Sequence, residues 1–189
     1  MKASRIACPF ALAALLAALL PACLQIRTTE HRIKLNKDGS GEAMMRLIDI
    51  RSDASNDTVL ARDYAVMMAS VQKEGMQLFE QGGRKVISRQ FFVGGDTLNA
   101  ELVYTFPNLD GVEGLKFSDR EMFVVVNKGR EIVKTNGSVQ SWARGARRIV
   151  WPRDAKRLMY QISETALSPG VSLAPLYLKY GKTIPEGGQ

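Results

Sequence analysis

Alternation between apolar and polar side chains is the dominant pattern of this chain from residue 24 onward. Over residues 24–35, β-branched residues give way to a regular alternation, with Ile33 and Leu35 on one side and Arg32 and Lys34 on the other, as in a half-buried strand. Asn36-Lys37-Asp38-Gly39-Ser40-Gly41 follows, and Asp38-Gly39 suits the positive φ angles of a tight hairpin turn better than a calcium loop. The return strand, 42–51, carries Met44, Met45, Leu47, Ile48 and Ile50 on both faces, which predicts a central strand. After the polar stretch 52–57 the apolar period changes to 3.6. Leu60, Tyr64, Met67, Met68, Val71, Leu78 and Phe79 predict one long helix over 58–81, closed by Gly82-Gly83 and weakened at Gly75. Its Met67, Met68 and Met76 are adaptable thioethers, and a methionine-rich core helix explains them better than a ligand-lining one.

Strand signals then resume. Segment 84–93 pairs with 97–106 across Gly94-Gly95-Asp96, with Leu98, Ala100, Leu102, Tyr104 and Phe106 inward. Residues 107–119 read as a loop, and further strands are predicted at 121–127, 131–135, 148–151 and 157–164. From residue 168 the prolines and glycines indicate a tail in which 173–180 lies against the body. The order strand, strand, helix and then about six strands predicts an α+β fold, an antiparallel sheet built from hairpins and packed on one long helix. A single domain over 23–167 and a tail over 168–189 follow. This element order resembles the helix-grip and related lipid-binding folds, and that resemblance implies a curved sheet wrapped around a long helix and a cavity.

Residues 1–22 have a different character. Lys2 and Arg5 precede an apolar run from Ile6 to Leu20, shorter than a bilayer span, as in a secretory signal. It closes on Leu20-Pro21-Ala22-Cys23, which resembles the lipobox of bacterial lipoproteins. The resemblance implies that 1–22 is removed, that Cys23 is acylated and incorporates palmitate, and that the body is held by lipid to a membrane of the bacterial cell envelope. Leu24 stands where an aspartate would resemble an inner-membrane retention signal, so the outer membrane is favoured where the host has two. Asp38-Gly39-Ser40-Gly41, close behind the lipid cysteine, is similar to the first hairpin of small envelope lipoproteins.

Composition narrows the chemistry. About 167 residues remain after 1–22, enough for one well-buried domain. Cys8 falls in the signal and Cys23 is the acylation site, so the body has neither disulfide nor cysteine nucleophile. His31 is the only histidine, which excludes a multi-histidine zinc site and leaves a histidine-based triad only if His31 is its base. No cofactor motif, metal set or catalytic constellation is present. The formal charge of +7 falls to about +5 without Lys2 and Arg5. For an exported chain this points away from nucleic acid and toward anionic lipid headgroups or envelope polymers. Arg144, Arg147, Arg148, Arg153, Lys156 and Arg157, with Trp142 and Trp151, form the one local concentration of phosphate-binding and interface-seeking side chains. A solvated basic face with one Trp in the core is the plainer explanation. The expectation is a non-enzymatic, membrane-anchored lipoprotein that binds a lipid or an envelope protein partner, the latter if sheet and helix enclose no apolar cavity. The alternative is an envelope hydrolase with a hydroxyl nucleophile near a lysine or His31.

Overall fold

The computed structural model describes residues 24–71, 73–167 and 169–181; the signal-like segment, Cys23, Ser168 and the Pro185 to Gly188 end lie outside them. The alternating segments become eleven strands in two antiparallel sheets among the described residues. The larger sheet contains β1 (Leu24–Leu35), β2 (Gly41–Ser52), β3 (Lys85–Gly94), β4 (Thr97–Phe106), β7 (Arg130–Thr135) and β10 (Arg157–Glu164), in the order β3-β4-β2-β1-β10-β7. Short β11 (Val171–Ser172) pairs with the end of β2. The smaller sheet runs β5 (Leu115–Phe117), β6 (Glu121–Val126), β9 (Arg147–Pro152) and β8 (Ser138–Ser141).

This corrects the expected α+β fold: the chain is mostly β, with three short helices and no long one among the described residues. The apolar period over 58–81 spans two helices, α1 (Asp57–Ser70) and α2 (Lys73–Glu80). Asn56 caps α1 by accepting the Val59 N–H at 3.0 Å. At its other end the Ser70 hydroxyl donates to the Met67 carbonyl at 2.7 Å, and Val71 leaves helical geometry at φ −95° and ψ 0°. A serine bonded back onto its own turn followed by a β-branched residue favours a stop there. Gly75 lies inside α2 rather than at the break.

Both helices and the small sheet cover the same side of the large sheet. Register puts Tyr104, Ala43, Ile33 and Leu158 in one row and Leu102, Met45, His31 and Tyr160 in the next on that side. Phe79 of α2 meets Tyr104 edge-on at 4.9 Å between centroids, and Trp151 of β9 lies 5.9 Å from Tyr160. Met122, Val124, Val126 and Ile149 complete the inner row of the small sheet, and Tyr64, Met67, Met68 and Met76 that of the helices. The C-terminal segment docks here too: α3 (Ala174–Tyr180) follows buried Leu173, and the Tyr177 hydroxyl donates to the Phe91 carbonyl at 3.0 Å.

A bulge in β2 sets which residues face this core. Against β4 the register shifts between Leu47 and Ile50, so that Ile50, not Asp49, lies opposite Leu98. Asp49 adopts φ 60°, and its backbone N–H donates to the Asn99 side chain at 3.0 Å. Its buried carboxylate takes Arg27 Nε at 2.9 Å and Arg51 Nε at 2.8 Å. Left-handed backbone in a strand is tolerated by an aspartate with this many local partners.

At the first hairpin, glycine at position 41 is required by close approach. A Cβ there would collide with the Lys34 backbone oxygen and stand 2.7 Å from Phe106 Cζ. Gly41→Ala is therefore expected to lower stability by about 1–3 kcal/mol, because a ladder carbonyl cannot yield as a side-chain tip can. Urea unfolding checks this, and an unchanged midpoint would show that the hairpin absorbs the methyl.

Candidate functional site

β9 carries the centre of the predicted basic cluster, and antiparallel pairing decides where each member goes. Adjacent residues of a strand point to opposite sides. Arg148 accordingly lies on the outer side of the small sheet and Arg147 on the other. Arg148 is enclosed: it sits over the Trp142 ring at 4.7 Å and the Phe123 ring at 5.6 Å. Its guanidinium donates to Gln140 Oε1 at 2.7 and 2.9 Å and to Glu121 at 2.8 Å. An arginine with its fork filled and its charge paired is a structural cross-link between β6, β8 and β9, not an open phosphate site.

The remaining members separate along the strand. Arg147 begins β9 and donates to the Arg130 carbonyl at 3.4 Å, and Arg144 is exposed in the preceding turn at φ 57°. Arg153 follows the other end of β9, lying over Phe117 at 4.9 Å, and Lys156 and Arg157 lead into β10. Six residues of extended chain hold Arg147 and Arg153 about 20 Å apart. Thus one end of the small sheet has Arg144 and Arg147, and the opposite end has Arg153, Lys156 and Arg157. The two tryptophans part similarly: Trp151 is 2 % exposed in the core, and Trp142 is 43 % exposed beside Arg148.

Lys128 and Arg130, outside the cluster that the sequence singles out, belong with the first group. They connect β6 to β7 beside the β8–β9 turn, as the bond from Arg147 to Arg130 shows. A count along the sequence contains the signal. Residues 115–153 hold nine basic and three acidic side chains, so nearly all of the chain's net +7 lies on or beside the small sheet.

Other polar groups hold the fold together. Ser52 Oγ donates to buried Asp63 on α1, and buried Glu30 pairs with Arg32 at 2.6 Å. His31 stacks on Tyr160, its cross-strand neighbour, at 4.6 Å and 15°. Burial lowers its pKa from 6.5 to about 4. A surface cleft of about 340 Å³ lies between the loop after α2 and the loop after β4, lined by Gln81, Arg84, Asn108, Asp110 and Glu113 among others. Arg84 stacks over Phe79 at 4.3 Å there. Among the described residues there is no group of three His, Cys, Asp or Glu placed to hold a metal, and no helix long and apolar enough to cross a membrane. The chain matches no protein-family model, no curated protein and no solved structure.

Proposed function

We propose that this chain is an exported, lipid-anchored protein of the bacterial envelope that acts by surface recognition of a membrane or an envelope protein partner, without catalysis. The observation that carries this reading is the adjacency of Leu20-Pro21-Ala22-Cys23 to the first strand, which begins at Leu24 with no linker. Acyl chains on Cys23 would hold the body directly against the bilayer, and two chains suffice for stable anchoring. Surface recognition rather than an internal lipid site is supported by how the interior is filled. Where the helix-grip resemblance implies a cavity, Phe79 packs on Tyr104 and Trp151 on Tyr160 across the layers.

Metabolic labelling with palmitate in a bacterial host tests the anchor. Label is expected on the wild-type chain and in the membrane fraction, and Cys23→Ala is expected to lose both. Label that survives the substitution would sink the reading.

A further inference from the structure

The register of the strands places the start of the body and the free basic groups at the same end of the molecule. β1 begins at Leu24, and Thr28 lies opposite Ser163 of β10. One residue further along β10, Glu164 lies opposite Arg130 of β7. The Ser163 hydroxyl donates to the Arg27 carbonyl at 3.1 Å, and the Thr165 N–H to the Gly129 carbonyl at 2.9 Å, so the β6–β7 turn sits level with the beginning of β1. Arg147, opposite Val126 where β6 ends, continues this end onto the small sheet; Arg144 follows in the β8–β9 turn, and the ring of Trp142 at the start of that turn lies back over Arg148 and Phe123 on the outer face.

Charges at this end are unevenly satisfied. Arg27 is held by Asp49 and Arg130 by Glu164 at 2.6 Å. Exposed Arg147 donates only to a carbonyl, and exposed Lys128 and Arg144 have no side-chain partner among the described residues. Trp142, packed at 5.9 Å on Phe123, presents its remaining surface beside them. Of the acids at this end, exposed Glu131 lies on β7 opposite Ser163, whereas Asp53, Asp57 and Asp96 fall on the β2 and β3–β4 side, across the sheet from β7 and β8. A tryptophan flanked by unpaired cations is the composition that partitions to the headgroup layer of an anionic bilayer.

We propose that the end carrying Lys128, Trp142, Arg144 and Arg147 docks on anionic lipid of the membrane that holds the acylated Cys23. The proposal rests on the lipoprotein reading for its orientation, since a linker-free anchor at Leu24 brings this end and no other to the bilayer. It also assigns the opposite basic group, Arg153, Lys156 and Arg157, to the side turned away from that membrane.

The two tryptophans supply the test. The full chain, purified from a bacterial host with its anchor, is reconstituted in vesicles of phosphatidylcholine alone or mixed with phosphatidylglycerol, each with brominated acyl chains. Trp151 is shielded in the core, so bromine quenching reports Trp142, and Trp142→Phe gives the baseline. Quenching is expected to be roughly twofold stronger in the anionic vesicles and to revert at about 1 M salt, where screening acts over about 3 Å. The triple substitution K128S/R144S/R147S is expected to reduce it to the neutral-vesicle value, with near-ultraviolet circular dichroism verifying the native fold. Quenching that is absent, equal in both vesicles or unchanged in the triple variant overturns the docking. Intact mass is read on the same sample: an unmodified Cys23 overturns the anchor itself, whereas an acylated chain without anionic-specific quenching overturns only this orientation.

Discussion

Trp151→Ala is expected to destabilise the body by about 3–5 kcal/mol, among the largest effects of any single substitution here. The side chain is buried where the two sheets meet, with its ring 5.9 Å from Tyr160. Its Nε1 donates to Asn136 Oδ1 at 2.8 Å, and the same oxygen accepts the Met159 N–H at 2.8 Å. Asn136 in turn donates from Nδ2 to the Arg157 carbonyl at 2.9 Å. Trp151 therefore holds β9 of the small sheet to β10 of the large one through the corner at Asn136 and Gly137. The corner has no slack, because a Cβ on Gly137 would meet the indole and Ile149 at 2.7 Å. Removing the indole leaves a cavity at the seam and an amide with one partner fewer. Trp151→Phe keeps most of the volume and loses the N–H, so a smaller loss of about 1–2 kcal/mol is expected. Urea unfolding at neutral pH measures both. A loss under about 1 kcal/mol for the alanine variant would mean that the small sheet is not fastened through this residue.

Individual strands were legible because period-two alternation is a local property, and the β1–β2 and β3–β4 hairpins because Asp38-Gly39 and Gly94-Gly95 are local turn chemistry. Assignment of strands to sheets was not. β6 and β7 are joined by a turn as short as a hairpin's, yet β6 pairs with β9 and β7 with β10, so the connection crosses between layers. β8 escaped notice because Ser138, Val139, Gln140 and Ser141 are all exposed and show no alternation. The long helix was over-read since α1 and α2 keep apolar residues at compatible spacing across Val71, and periodicity does not register a break that preserves phase. Composition likewise found the basic cluster but not its geometry. Proximity in sequence joined Arg147 to Arg153, whereas the strand between them pulls them apart, and only pairing brings Lys128 and Arg130 to Arg147.

A second large effect is expected from acid. The His31 imidazole faces the core, stacked on Tyr160, with Met45 opposite it on β2. Burial holds its pKa at about 4, against 6.5 when the chain is unfolded. Between those values the unfolded chain binds the proton and the folded one does not, so stability must fall as pH drops from about 6.5 to about 4 and level off below. The full difference corresponds to about 3 kcal/mol, an upper end because the residue keeps partial exposure. The titratable groups nearest the ring do not compete in this window. Burial raises the Tyr160 hydroxyl far above its usual range and Tyr104 to about 12, where Arg84 pulls it down and Glu113 pushes it up, so both phenols stay neutral. His31→Phe preserves the stacking on Tyr160 and removes the titration. Its urea midpoint is expected to stay nearly constant from pH 6.5 to 4.5 while that of the wild type declines. Parallel curves for the two proteins would mean that the acid sensitivity belongs to the carboxylates, and that the imidazole is charged as readily in the folded body as in water.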